Sequence, residues 1–224
     1  RLSAVTKWNN VLSKIDFKAD DNTKTVFYTA LYHSYFAPTI FSDVNGDYMG
    51  ADKQVYNDKK HQNYTVFSLW DTYRALHPLM TIIEDKKNKD FINSMLKIYQ
   101  HQGKLPVWHL WANETNTMVS LPAIPIVADA ILKGLVDKNE IELAYEAIKT
   151  TAMGSGHGLE FVRNLKYIPI EHMENESVAW ALEYAIADFG AYQAAKHLGK
   201  IEDAAYFEKR YKLYEQYFDK EVGH

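Results

Sequence analysis

The sequence predicts an all-α fold with one small β hairpin. Apolar residues recur at helical spacing over residues 176–198 and again over about 203–218, which predicts two amphipathic helices. Glycines and prolines interrupt the helical pattern elsewhere, as they do at helix ends. The pair Asn45-Gly46 is the strongest short signal for a hairpin turn. About seven or eight helices joined by short and medium connections therefore indicate helical hairpins packed side by side.

The first part of the chain is predicted to contain two helical segments separated by the hairpin. Residues 24–36 are apolar and aromatic and form the first of them. Residues 41–49 form the hairpin, and a polar surface loop follows it. Residues 67–84 return to helical character, with a break before Pro78 because proline removes a backbone hydrogen bond.

The rest of the chain is predicted to be helical between clear breaks. Gly103 and Gly134 end two of these helices, and Pro122 and Pro125 fit only near a first helical turn. The segment GSGHG is a flexible break. The predicted helices are residues 90–102, a segment from Pro122–Pro125 to 133, 139–152, 176–198 and 203–218.

The composition is that of a soluble globular protein. The 224 residues are 47% hydrophobic and 24% charged, and a net charge of −4 gives no reason to expect nucleic acid or a membrane surface as a partner. The chain has no cysteine, which excludes disulfides and a thiol nucleophile. Aromatic residues reach 14%. They indicate an aromatic-rich core or, alternatively, rings that line a sugar site.

Short metal and nucleophile motifs give little support for a site. The stretch that begins at Asp43 matches the first ligands of an EF-hand loop, but Tyr48 and Gln54 replace the required glycine and glutamate. We interpret it as the hairpin turn. The nine histidines have no zinc-binding spacing, and no GxSxG or P-loop sequence is present.

Three carboxylates stand in aromatic surroundings and are the candidates for chemistry: Asp71, Glu114 and Glu176. Each also has a structural interpretation. Asp71 is spaced to pair with Arg74, Glu114 is placed to accept backbone amides before a helix, and Glu176 suits a first helical turn capped by Asn175. Functionally, Glu114 is a candidate proton donor for sugar hydrolysis, since apolar neighbours favour a protonated carboxyl.

Four long segments resemble one family, glycoside hydrolase family 92, in the order that the family has them. They are FYTALYHSYFAPTIFSDVNGDYMG, YTVFSLWDTYRALHPLMTII, GKLPVWHLWANETNTMVSLPAIPIVADAILKG and ESVAWALEYAIADF. The resemblance spans about residues 8–220. It implies a calcium-dependent, inverting, exo-acting α-mannosidase, typical of bacterial degradation of N-glycans and mannan. It also implies that this chain is part of an (α/α)6 toroid catalytic domain.

The resemblance assigns roles residue by residue. Glu114 matches the general acid, and Glu176 matches a calcium ligand with Asn175 beside it, where some members have glutamine. Residues in motifs that would line the sugar pocket are Trp70, Asp71, Trp111, Asn113 and His172. The base of an inverting mechanism is a second carboxylate, and the resemblance implies that it lies beyond His224.

These assignments lead to several expectations. Residues 1–224 are expected to form a single partial toroid without the family's N-terminal β-sandwich, and to be inactive alone because the base is missing. An open toroid exposes apolar faces, so we expect self-association. The substrate is expected to be a mannose-containing glycan, with α-1,2-mannosides as the leading class. The localisation is expected to be periplasmic or extracellular, although no signal peptide is visible.

Two alternatives remain open at this point. One is a glycosidase on the same toroid with another sugar or linkage. The other is a non-catalytic carbohydrate-binding or helical scaffold module that keeps the aromatic residues but hydrolyses nothing.

Overall fold

The computed structural model describes residues 2–223, and the all-α prediction is confirmed. The α-helices within this range are α1 Leu2–Leu12, α2 Asp21–His33, α3 Leu69–Thr72, α4 Leu76–Ile83, α5 Asp85–Gln102, α6 Ala123–Leu132, α7 Ile141–Ala152, α8 Leu159–Leu165, α9 Ser177–His197 and α10 Ile201–Tyr211. A 3₁₀ segment, Lys212–Tyr217, follows α10. The strands are β1 Thr39–Ile40, β2 Asp47–Met49, β3 Val55–Asn57, β4 Tyr64–Thr65, β5 Phe67–Ser68, β6 Trp108–Leu110 and β7 Asn113–Glu114.

The helix ends lie close to the breaks in the sequence. Gly103 ends α5 in the left-handed conformation, with a φ of 79° that glycine adopts without strain. Pro122 precedes the first residue of α6 and Pro125 lies in its first turn, where a missing N–H costs little. The break predicted before Pro78 separates α3 from α4, although residues 67–68 form β5 and not a helix.

The core is centred on α9, which packs against α6, α7 and α10. Its buried face is built mainly of alanine, together with Gly190. A Cβ added at Gly190 would lie 3.0 Å from the Cα of Pro125, so the glycine permits a close approach of α9 to α6. A buried ion pair joins α9 to α10, since the Nε of Arg210 donates to Asp188 at 2.6 Å. The Nη2 of Arg210 also donates to the Ala152 carbonyl at the end of α7.

The predicted hairpin exists, but its turn lies later in the chain than we expected. β2 pairs with β3, with Tyr48 opposite Tyr56, so the reversal falls at residues 50–54. The pair Asn45-Gly46 instead forms a local turn in which the Gly46 N–H donates to the Asp43 carbonyl at 3.0 Å. The prediction of a hairpin at residues 41–49 was therefore wrong in its position along the chain. Residues 41–42 do not pair with β2 because the adjoining β1 pairs with β4.

A three-stranded antiparallel sheet that the sequence did not predict joins β5, β6 and β7. β5 pairs with β6, Phe67 lying opposite His109. Between β4 and β5 the single residue Val66 has a φ of 60°, which turns the chain from one sheet into the next. A β-branched residue in the left-handed region is uncommon and marks a strained position.

The long connections between helices meet at one end of the bundle. The N–H of Leu105, just after α5, donates to the Thr151 hydroxyl near the end of α7 at 2.9 Å. Ser120, before α6, donates to the carbonyl of Glu183 in the first half of α9. Tyr73, before α4, also donates to Glu183, through its side chain. Segment 153–176 is joined to the same helix, since the Tyr184 hydroxyl donates to the His157 carbonyl at 3.1 Å. Segments 69–75, 103–122 and 153–176, which hold all eight predicted site residues, therefore each contact α9 or the end of α7.

Within residues 2–223 the structure has no helix with the length and apolar character needed to cross a membrane.

Candidate active site

Glu114 lies at the end of β7, half-buried, with its carboxylate bound by three backbone amides. Oε1 accepts the N–H of Trp108 at 2.9 Å and the N–H of Asn116 at 2.8 Å. Oε2 accepts the N–H of Val107 at 2.8 Å. The structural interpretation of this residue is therefore confirmed: hydrogen bonds compensate the cost of placing a carboxylate among apolar neighbours.

The hairpin that carries Glu114 has a two-residue turn made of Trp111 and Ala112. Leu110 pairs with Asn113, and the two residues between them have φ values of 50° and 59°. Hairpin turns with positive φ at both central positions normally use asparagine, aspartate or glycine. Here the turn presents the Trp111 side chain to solvent, with 56% of its surface exposed. Strained backbone of this kind often accompanies functional sites.

Trp111 is oriented in part by a second ring. The ring of Phe41 lies 5.6 Å from the indole in an edge-on arrangement. Asn113, the next predicted site residue along the chain, is exposed beside it. The turn therefore offers an aromatic surface and an amide side chain next to the Glu114 strand.

Trp70 and Asp71 lie in the short helix α3. Asp71 is exposed and accepts a hydrogen bond from the Ser68 hydroxyl. The pairing with Arg74 proposed from sequence spacing was wrong. Arg74 instead contacts Glu183 of α9 at 2.6 Å and lies 5.4 Å from the centre of the Trp70 ring. The tertiary partner on α9 holds the guanidinium away from the local carboxylate.

Glu176 and Asn175 are exposed at the beginning of α9. Glu176 has a φ of 61° and occupies the position before the first helical residue, where its side chain makes no capping bond. The prediction that Asn175 caps this helix was therefore wrong. His172 is also exposed, and its ring stacks on Phe161 at 4.6 Å with an interplanar angle of 19°.

The residues described do not make up a calcium site by themselves. Carboxylate and amide oxygens are the donors that calcium prefers, but it takes about six to eight of them. In residues 2–223 no three His, Asp or Glu side chains converge as metal ligands would. Glu176 and Asn175 also lie at a helix N-terminus, whose partial positive charge disfavours a cation.

A cavity of about 300 Å³ lies between the Glu114 loop and α9. Asn116 and Val107, two of the amide donors to Glu114, line one side of it. On the other side the rings of His157 and Trp180 stack at 4.7 Å and are parallel within 5°. This cavity was not predicted from the sequence, although Trp180 lies one helical turn after Glu176 and its position on that face was readable.

The predicted site residues are thus brought to one end of the bundle without direct contact between the three carboxylates. Among the described residues no hydrogen bond or ion pair joins Asp71, Glu114 and Glu176. Arg74 and Glu183 link the Asp71 segment to α9. The cavity links the Glu114 segment to the same helix.

Comparison with known proteins gives one consistent family. Residues 1–224 match the sequence model of the glycosyl hydrolase family 92 catalytic domain. A solved family 92 α-mannosidase from Bacteroides thetaiotaomicron is 42% identical, with a TM-score of 0.92 over 97% of this chain and 30% of that one. The same α-mannosidase in complex with mannoimidazole gives a TM-score of 0.90 at 43% identity, over 95% of this chain and 28% of that one.

More distant relatives agree with this result. A family 92 inverting mannosidase from the same bacterium is 27% identical, with a TM-score of 0.89 over 99% of this chain and 31% of that one. A protein of Arthroderma benhamiae described as an uncharacterized secreted glycosidase is 25% identical over 228 residues, which cover 93% of this chain and 25% of the relative. The chain therefore spans about a third or less of the length of these relatives.

Proposed function

The chain belongs to glycosyl hydrolase family 92, and from this membership we propose that it supplies Glu114 as the general acid of an inverting exo-acting α-mannosidase. The observation that carries the proposal is the position of Glu114, on a strained hairpin beside an exposed tryptophan at the end of the bundle where the long connections meet. The neighbouring structures support it, because they are α-mannosidases, one is called inverting, and one is in complex with mannoimidazole.

In this reaction the acid protonates the glycosidic oxygen as the bond from the anomeric carbon to that oxygen breaks. A water molecule adds to the opposite face of the anomeric carbon, and a second carboxylate takes its proton. The base of such enzymes lies about 6.5–9.5 Å from the acid. We propose that it comes from a part of the protein outside this chain, so that the 224 residues alone do not hydrolyse mannosides.

The hydrogen bonds of Glu114 favour one of its two oxygens as the proton donor. Each carboxylate oxygen has two lone-pair positions. Oε1 uses both for the N–H groups of Trp108 and Asn116, whereas Oε2 accepts only the N–H of Val107. Oε2 therefore has a position left to carry the proton, and we propose that it faces the glycosidic oxygen.

Sugar binding is proposed for the aromatic and polar side chains around this acid. A pyranose ring stacks well on an exposed indole, and Trp111 supplies one. Trp70, Asp71, Asn113 and His172 are proposed to complete the pocket for a terminal mannose, with α-1,2-linked glycans as the leading substrate class. The mannoimidazole complex of the similar α-mannosidase supports a mannose-shaped ligand.

Calcium is proposed as the cofactor of the complete protein, with Glu176 and Asn175 as two of its ligands. Further oxygen ligands from other parts of that protein would have to offset the unfavourable positive end of the α9 dipole. When bound, the ion would hold sugar hydroxyls. A periplasmic or extracellular location is also proposed, supported by the name of the secreted fungal relative.

The role of Glu114 as the acid is tested with two substrates that differ in their leaving group, using the full-length protein that carries these residues. We expect Glu114→Gln to lose at least about a hundred-fold in kcat/KM on α-1,2-mannobiose, whose leaving group needs a proton. The loss should be much smaller on dinitrophenyl α-mannoside, whose leaving group does not. Glu202→Gln, an exposed carboxylate on α10, is the matched control and should leave both rates unchanged.

One observation favours a second candidate, a non-catalytic carbohydrate-binding module. Three amide donors are what a purely structural carboxylate accepts, and they would hold Glu114 in place without any chemistry. If Glu114→Gln slows both substrates equally and lowers the unfolding temperature, the carboxylate is structural. If the full-length protein binds mannose but hydrolyses neither substrate, the binding module is the correct function.

A further inference from the structure

The Trp111–Ala112 turn is held from outside the hairpin on both of its faces. Both residues have positive φ, a conformation that their side chains disfavour, so the turn needs external contacts to persist. Its two outward backbone groups are the N–H of Trp111 and the carbonyl of Ala112. Each is bound by a side chain from a different, distant segment of the chain.

Thr65 binds the first of these groups. The N–H of Trp111 donates to the Thr65 hydroxyl at 2.9 Å, and this hydroxyl lies 3.2 Å from Nδ1 of His109. Thr65 is fully buried in β4, and the strained residue Val66 follows it directly. The buried hydroxyl is therefore a fixed acceptor, not a mobile surface group.

Lys53 binds the second group. Its ammonium donates to the Ala112 carbonyl from the turn of the β2–β3 hairpin. That hairpin is seated on α5 by the stacking of Tyr56 on His101 at 4.3 Å, with an angle of 14° between the rings. A Cβ added at Gly50 would lie 2.7 Å from the Tyr56 ring and 2.8 Å from His101, so the seating is tight. The backbone that carries Lys53 is thus anchored.

We propose that Lys53 and Thr65 are positioning residues that clamp this turn, so that the Trp111 indole keeps the orientation in which it receives a sugar ring. The expected effect on sugar binding rests on the proposed function, whereas the expected effect on the turn itself does not. In this proposal both residues act on the sugar only through their contacts with the turn.

The kinetic test uses paired variants of the full-length protein with α-1,2-mannobiose. Lys53→Met and Thr65→Val remove the polar groups with little change in size, and each is expected to raise KM about ten-fold while kcat changes less than about two-fold. Lys53→Arg and Thr65→Ser restore a donor and a hydroxyl, and are expected to return KM to within about three-fold of the wild-type value. Lys59→Met, an exposed lysine six positions later, is the control and should leave KM unchanged.

A second readout separates this inference from the proposed function. Hydrogen exchange of the peptide that covers residues 108–116 should be about ten-fold faster in Thr65→Val, because the Trp111 amide loses its acceptor. Wild-type KM in both Lys53→Met and Thr65→Val, or unchanged exchange, overturns the clamp even if Glu114→Gln abolishes activity. If the full-length protein hydrolyses no mannoside, the proposed function fails and hydrogen exchange alone tests the clamp. Faster exchange in Thr65→Val then still supports the clamp. Because Lys53 is exposed, the Lys53→Met variant is expected to fold, and a higher KM in it reports on the clamp.

Discussion

His109 lies directly opposite Glu114 in the antiparallel pairing of β6 with β7. Side chains at paired positions project from the same face of a sheet, so the imidazole and the carboxylate are neighbours. His109 is buried, and its burial lowers the pKa of the imidazole to about 4, although the nearby charge of Glu114 acts in the opposite direction. The ring is therefore neutral at neutral pH and serves as a hydrogen-bond partner of Thr65.

We predict that the chain loses stability as the pH falls below 6.5, because two buried histidines must remain neutral. Burial lowers the pKa of His77 to about 3, and His109 behaves in the same way. In the unfolded chain both rings take up protons near pH 6.5, so unfolding is favoured progressively between pH 6.5 and the folded-state pKa values. Each group contributes a slope of about 1.4 kcal/mol per pH unit in that window.

Denaturant unfolding at several pH values between 5 and 6.5 measures this slope. His77→Leu removes one titrating group and should flatten the dependence by about half, while the exposed His197→Asn should not alter it. An unfolding free energy that does not change between pH 6.5 and 5 in the wild-type chain would contradict the prediction.

Removing one partner of the buried ion pair between Asp188 and Arg210 is predicted to destabilise the fold strongly. Asp188 is 1% exposed and Arg210 is 4% exposed, so Asp188→Ala leaves a buried guanidinium without its counter-ion. We expect a loss of about 3–5 kcal/mol in the free energy of unfolding. The Arg210 contact with the Ala152 carbonyl should weaken as well, because the same guanidinium makes both bonds.

The control for this buried pair is an exposed ion pair at the end of α10. Lys212 pairs with Glu208 at 2.9 Å on the surface, where solvent screens the charges. Glu208→Ala should therefore leave the unfolding midpoint nearly unchanged. If the two substitutions lower the free energy of unfolding equally, burial does not increase the contribution of the Asp188 pair to stability.

Gly190→Ala is predicted to destabilise the packing of α9 on α6. The new Cβ would lie 3.0 Å from Cα and 3.3 Å from N of Pro125, both backbone atoms that cannot rotate away. We expect a loss of about 1–3 kcal/mol, the usual cost of overpacking, despite the higher helix propensity of alanine. Thermal unfolding checks it, with the exposed Lys196→Ala on the same helix as control. A stabilised variant would mean that the two helices separate easily.

Self-association is predicted to run through an apolar patch on α9 and the segment after α10. The patch consists of Leu182, Ile186, Phe189 and Tyr214, which are 39–48% exposed and line one shallow cleft. Contiguous exposed apolar surface favours association. The double variant Ile186→Lys with Phe189→Glu should therefore lower the average mass in sedimentation velocity at high concentration.

Val44→Lys serves as the control for this patch, because Val44 is fully exposed on an isolated turn away from the cleft. It should not change the association. A monodisperse wild-type chain would argue against an incomplete toroid, and association that survives the double variant would place the contact elsewhere.

The helical class, most helix ends and the candidate site residues could be read from the sequence without a structure. The periodicity of α9 and α10 is long enough to read without a structure, and glycine at 103 or proline at 122 acts on the backbone locally. Glu114 was recognisable because a carboxylate among tryptophans needs a compensating partner, and its amide partners lie within seven residues.

The surroundings of those residues depend on contacts between distant segments, which the sequence pattern does not show. β5, β6 and β7 are two or three residues long, too short to show an alternating pattern, and β5 pairs with a strand about 40 positions away. Likewise Arg74 selects Glu183 on a distant helix over the neighbouring Asp71, because packing places that carboxylate closer. The same is true of Lys53 and Thr65, whose meeting with the Trp111 turn depends on how the two hairpins sit on the helices. Spacing along the chain encodes local geometry, whereas contacts between distant segments follow from burial of the whole core.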